Sequence, residues 1–296
     1  MKQFTGILLI AISAAAFGTL AIFGRFLYAD GLDTFTLLFL RFGLAALLML
    51  VILLMRKEKF PRGKILLQLI GMGALGYVGQ SFSYLTAINY ASAGLVALLL
   101  YLYPMFVFIL SLIVFHEKVT WIKIVAIILA LIGTALTVDP AGGHSYGILL
   151  AIAAALIYSV YIIVGTNVMK HVSAVQSSLV IFASAGAVYG ILASVTGVHL
   201  PSTNSGWLSI VGIVLIATVI PVVAFLAGLE RIGPTNAAML STLEPVVTVL
   251  LAVWFFGERL QSIILLGGGL ILIAVIMLTR GEVGEIKESA RKRSFL

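Results

Sequence analysis

The chain has 296 residues, of which 62% are hydrophobic and 10% charged, with a mean hydropathy of +1.21. This composition excludes a soluble globular protein and makes a bilayer the main solvent. The formal net charge of +7 would suggest nucleic acid as a partner of a soluble protein, but in a membrane protein it reports orientation and attraction to anionic headgroups. No nucleic-acid partner is expected. The absence of cysteine rules out disulfides, thiolate metal sites and a thiol nucleophile.

Apolar stretches of about twenty residues, enough to cross the hydrocarbon at ~1.5 Å per residue, are predicted at 5–27, 34–55, 65–88, 91–115, 120–138, 146–168, 175–196, 207–229, 233–256 and 260–279. Strands of a membrane barrel would alternate with period two, and runs such as Leu98, Leu99 and Leu100 do not. The first span, with Lys2 ahead of an apolar core and Ala14, Ala15 and Ala16 within it, has the look of a secretory signal. Its equivalent at 147–168 argues that it is a retained helix. The second span carries Arg41, expected to snorkel outward or to pair with a carboxylate or carbonyl; the alternative is that it binds the anionic part of a solute.

The third span contains Gly71, Gly73 and Gly76, which match GxGxxG. The dinucleotide fingerprint needs a preceding strand and an exposed turn, so these glycines are read as close helix packing. One helical face of the same span presents Gly76, Gln80, Ser83 and Tyr84, a polar stripe in lipid. In the fourth span Tyr101 and Tyr103 precede Pro104. On a continuous helix the two rings cannot face the same way, and Tyr103 is favoured as a cavity residue. The sixth span adds Tyr158, Tyr161 and Gly165 on one face; Tyr84 and Tyr158 lie near mid-span, where their hydroxyls need partners. Gly186 and Gly190 in the seventh form a GxxxG, a packing or self-association motif.

Glu244, near the middle of the ninth span, is the sharpest single residue, because an unpaired charge there costs about 2.5 kcal/mol or more. It is expected to face a cavity and to be a candidate for proton exchange. A buried glutamate that merely holds two helices together is the competing reading. Pro245 cannot donate to the carbonyl of Ser241, and is expected to leave a free acceptor and a kink beside the carboxyl. His116, His144, His171 and His199 lie at separate loops or span ends, without metal-ligand spacing. Asp30, Asp33 and Asp139 fall at one membrane surface, so no hydrolytic constellation forms. Neither a metal nor a cofactor is expected, and an enzyme is not indicated.

One offset organises the chain. Pro104 and Pro245 are 141 residues apart, as are Glu117 and Glu258, Gly71 and Gly212, and Ala97 and Ala238; residues 6–9 recur at 147–150. A duplicated block with an odd number of spans enters the membrane in opposite senses in its two copies. The expected fold is therefore all-α and integral to the membrane: ten transmembrane helices as two inverted five-helix repeats, at 1–139 and 140–280, with a charged tail at 281–296 suited to anionic headgroups. Cytoplasmic termini would put Lys2, Arg56, Lys57, Lys59, Arg62, Lys64, Lys118, Lys123, Lys170, Arg231, Arg280, Lys287, Arg291, Lys292 and Arg293 inside, 15 of the 18 basic residues. Pro104 and Pro245 then interrupt equivalent helices at equivalent depths, the broken-helix pattern around a midplane site. The residues expected to bind solute are Glu244, Tyr103, Gln80, Tyr84 and Tyr158.

On these residues the chain resembles the drug/metabolite transporter superfamily, and within it the EamA-like transporters of ten spans. The resemblance is carried by Tyr103 and Pro104 followed by Phe115, His116 and Glu117, and by Leu243, Glu244 and Pro245 followed by Phe256, Gly257 and Glu258. It covers the chain to about residue 280; the first copy departs from the usual Gly-Glu pair, with His116 where the second has Gly257. The resemblance implies a secondary carrier in the cytoplasmic membrane, exporting an amino acid or another small organic metabolite, with protons as the coupling partner at Glu244. The alternative is a multidrug exporter holding an organic cation among Tyr84, Tyr103, Tyr158 and Glu244. A channel and a membrane-embedded enzyme rank below both. Glu117 and Glu258 are expected to be gate or structural residues that cap the next helix or contact Lys118 and Arg259.

Overall fold

A computed structural model of the chain describes residues 2–91, 93–117, 119–137, 144–256, 262–263 and 265–277. Eight helices are long and apolar enough to span a bilayer: α1 (Lys2–Ala29), α2 (Thr34–Met55), α3 (Gly63–Tyr84), α4 (Leu95–Phe115), α6 (Ser145–Val168), α7 (Ala174–Thr196), α8 (Asn204–Ile232) and α9 (Pro234–Phe255). Two shorter apolar helices, α5 (Trp121–Leu136) and α10 (Leu265–Met277), fall where the fifth and tenth spans are expected. Among the described residues there is no strand. Asp139, the Glu258 motif with Gly257 and Arg259, Lys118 and the basic tail lie outside the described residues.

Local sequence sets the helix ends. Asp33 caps α2, accepting from the amides of Phe35 and Thr36 at 2.9 and 3.0 Å. Ser173 and Gln176 form a reciprocal capping box at the start of α7, and Thr203 caps α8. Each cap satisfies amides that would otherwise end unpaired, an effect of about 1 kcal/mol.

The helices α2 and α7, equivalent under the 141-residue offset, run antiparallel. The start of α2 meets the segment after α7, where the His199 amide donates to Thr36 Oγ1 at 3.2 Å. The end of α2 meets the start of α7, where Ser173 donates to Glu58 and Gln176 Nε2 donates to the Lys59 carbonyl. This antiparallel pair is the inversion that an odd number of spans requires. Packing follows the same exchange: α1 lies on α8 and α6 on α3, while α4 lies on α6 and α9 on α1. Small residues permit the approach. A Cβ on Gly186 of α7 would sit 3.1 Å from the Gly43 amide nitrogen of α2, and one on Gly228 of α8 would sit 2.7 Å from the Ile10 side chain of α1. Gly73, one of the GxGxxG glycines, packs the same way against Ser184 and the Ile181 backbone.

Besides α1, which is interrupted at Thr19, four described spans depart from regular α-helix beside the centre of the bundle. The break in α4 falls at Tyr101 and Leu102, and that in α9 at a 3₁₀ turn, Ser241–Leu243. Pro104 and Pro245 each become the second residue of a new helical segment, where a missing N–H costs little. The Ser241 carbonyl expected to be free is instead taken by the Glu244 amide, because the chain tightens to i→i+3 bonding at this point. The other two departures are π-helical, at Met72–Tyr77 in α3 and Leu215–Val219 in α8. Nothing in the periodicity announces them, yet the offset carries 72–77 onto 213–218, so they are repeat equivalents.

Candidate solute-binding cavity

The breaks and π segments surround a cavity of about 630 Å³, within the roughly 300–1,000 Å³ of small-molecule sites. It runs from Tyr103 and Glu244 at its deep end to Arg25, Tyr28 and Thr34 by the turn between α1 and α2. Gln80, Tyr84, Tyr103, Tyr158 and Glu244 all lie on its wall, together with Tyr77, Ser81, Tyr101, Arg41 and Thr248.

Two of these placements differ from the sequence expectation. Tyr101 and Tyr103 both line the cavity, with ring centroids 6.5 Å apart, because the break at Tyr101 and Leu102 removes the ~100° per residue rotation that would separate them on a continuous helix. The lining face of α3 is Tyr77, Gln80, Ser81 and Tyr84 rather than Gly76, Gln80, Ser83 and Tyr84. The π segment adds backbone within the turn and rotates the remainder of the helix, so Gly76 packs on Tyr161 and Ser83 is buried away from the lining. Arg41 does not snorkel but takes the other expected course, a carbonyl partner: it is 6% exposed, donates from Nε to Thr218 Oγ1 at 2.7 Å and from Nη2 to the Ala217 carbonyl at 3.3 Å.

The rings form a continuous aromatic wall. Tyr103 and Tyr158 meet edge to face at 4.9 Å, Tyr158 stacks with Tyr161 at 5.9 Å, and Tyr161 meets Tyr77 at 5.6 Å. Glu244 enters this wall at the first residue of the second half of α9. Gly18 of α1 lets that backbone come close, since a Cβ there would lie 3.2 Å from the Glu244 carbonyl oxygen. Thr248 Oγ1 bonds both the Gly18 and Glu244 carbonyls, at 3.2 and 3.1 Å. Among the described residues no hydrogen bond or ion pair reaches the Glu244 carboxylate.

The other end of the cavity is sealed. The Tyr103 hydroxyl donates to the Ala238 carbonyl at 3.3 Å, and Ser159 Oγ donates to the Tyr103 carbonyl at 3.2 Å. Beyond this layer Glu117 accepts from Lys123 Nζ at 2.5 Å and from Thr235 Oγ1 at 2.6 Å, tying the end of α4 to the start of α9. Its partners among the described residues are thus Lys123 and Thr235. Ala97 and Ala238 are repeat equivalents, and only Ala97 lines the cavity; Ala238 is fully buried.

A bundle of apolar helices, with the repeat-equivalent α2 and α7 antiparallel and a cavity at the helix breaks, defines a multi-pass membrane protein of the inverted-repeat class. The EamA-like transporter family model matches residues 4–139 and again 145–280, and the chain belongs to that family. Its relatives include an uncharacterized transporter of Archaeoglobus fulgidus, 28% identical, with 92% of this chain and 95% of the relative covered. An uncharacterized transporter of Bacillus subtilis, YcbK, is 25% identical over 89% of both chains. An uncharacterized inner membrane transporter of Escherichia coli K12, YedA, is 27% identical with 82% and 80% covered. A protein crystal structure superposes with a TM-score of 0.79 over 94% of this chain and 97% of its own, at 20% identity, a likeness of fold alone. The chain is a membrane transporter.

Proposed function

We propose that the protein is a secondary carrier that exports a small organic solute of amino-acid size across the cytoplasmic membrane by alternating access, with Glu244 exchanging protons. The observation that carries this reading is the Glu244 carboxylate itself, held mid-span on a cavity wall with no protein partner among the described residues. An intramembrane carboxylate so placed is available to a solute or a proton. Gln80, Tyr84, Tyr103 and Tyr158 then supply hydroxyl, amide and ring contacts to the same solute. The basic-residue bias supports cytoplasmic termini, which makes the α1–α2 turn external and the cavity outward-facing. Glu117, Lys123 and Thr235 are then the inner closure.

The test is counterflow of labelled amino acids in liposomes with an imposed pH gradient. Wild-type protein should exchange solute and respond to the gradient; Glu244→Gln should keep exchange but lose the response. Full proton-dependent transport by that variant refutes the coupling role, and absence of counterflow with gradient-independent leak points to a channel. A second reading, export of organic cations, draws support from the tyrosine rings beside Glu244. It requires that cationic dyes compete with the solute and that amino acids do not.

A further inference from the structure

Among the described residues Arg41 is the one cation set deep in the cavity wall, and no carboxylate touches it; Glu244 acts on it only through the field across the cavity. Its two hydrogen-bond partners, the Thr218 hydroxyl and the Ala217 carbonyl, are neutral, and it lies 4.9 Å from the centroid of the Phe42 ring. Among the described residues no carboxylate lies within ion-pair distance of it. Burying a cation without a contacting counter-charge is costly, so a purely architectural role is poorly served by arginine. The repeat shows what architecture alone requires: the equivalent residue is Phe182, fully buried, with its ring 6.1 Å from that of Phe42.

The second half of the scaffold is altered to receive the guanidinium. Pro221 has no N–H to offer the Ala217 carbonyl four residues back, and Arg41 takes that carbonyl. In the first repeat the equivalent of Pro221 is Gln80, which keeps its amide. Thr218 bonds the Ile213 carbonyl at 2.7 Å across the π segment and so presents its oxygen to Arg41 Nε. A guanidinium has five N–H donors; with two engaged, three remain on a side chain that lines the cavity.

We propose that Arg41, pinned by Thr218 and Ala217, is the anion-binding residue of the cavity, and that the solute carries a carboxylate there. A guanidinium fork matches a planar carboxylate, whereas a phosphate dianion would face Glu244 across the same space. The proposal rests on the reading of this cavity as the solute site, with Arg41 and Glu244 as its two poles.

Binding of three compounds of one shape to the purified protein separates the poles: leucine, 4-methylpentanoate, which lacks the amine, and 3-methylbutylamine, which lacks the carboxylate. Wild-type protein should bind all three. Arg41→Gln should weaken the two carboxylates by about tenfold or more and leave the amine unchanged. Thr218→Val, which keeps the charge but removes one pin, should weaken the carboxylates selectively and serves if Arg41→Gln does not fold. Equal weakening of all three compounds, or failure of 4-methylpentanoate to bind wild-type protein, overturns the proposal. Failure of the transport reading appears elsewhere, as absent counterflow or as proton-driven flux that survives Glu244→Gln.

Discussion

Replacing Glu117 by alanine should open the sealed end of the cavity. The carboxylate joins Lys123, whose side chain is 11% exposed, to Thr235, which is fully buried. Its loss strands a nearly buried ammonium and an unpaired hydroxyl. Breaking a fully buried pair costs about 3–5 kcal/mol; with Glu117 itself 21% exposed, solvent screening brings the expected bias to about 1–3 kcal/mol. That corresponds to a shift of roughly 5- to 150-fold between conformations. The chain has no cysteine, so single cysteines report cleanly. At position 238, sealed beneath Tyr103, reaction with a membrane-impermeant thiol reagent applied from the Glu117 side should accelerate in the Glu117→Ala background. At position 97, on the open wall, reaction from the opposite side should slow. Rates unchanged within about twofold at both positions would refute the latch, and acceleration at both would indicate loosening of the bundle rather than exchange of its two faces.

Packing and charge give two further outcomes. Gly186→Leu forces α7 away from the Gly43 backbone of α2; overpacking of this kind costs about 1–3 kcal/mol, read as a lowered unfolding temperature in detergent. Burial pushes the Asp33 carboxyl up, but Thr36 through side chain and amide, His199 and the Phe35 amide together hold it below the ordinary aspartate range. Its contribution to stability is therefore complete above the unfolded value of about 3.9 and is lost as pH falls through the lower folded value. Asp33→Asn should flatten that acid limb of the stability profile, and an unchanged limb would contradict the assignment.

The repeat and its inversion were legible because both depend on quantities that sequence carries directly: an offset, a count of spans and the distribution of basic residues. Glu244 was legible because charge in an apolar span is conspicuous. The π segments were not, since one added residue per turn barely alters an apolar pattern that is hydrophobic on every side. Tyr101 was set aside by helical periodicity that the chain abandons at that residue. The setting of Arg41 was hidden for another reason. Its partners lie 176 and 177 residues away, and the unmatched positions, Arg41 against Phe182 and Pro221 against Gln80, explain one another only when α2 and α8 are seen in contact.

The antiparallel α2–α7 pair is fastened in three places. Asp30 and Asp33 bind Ser202, Thr203 and His199 at one membrane face; Gly43 meets Gly186 in the middle; and Glu58 and Lys59 hold Ser173 and Gln176 at the other face. A pair tied at both ends and the waist can neither slide nor splay, so it serves as a keel, while the helices broken at Leu102 and Ser241 are free to tilt against it. Under the alternating access proposed above, solute passage then demands rotation about a rigid member rather than reshaping of the whole bundle.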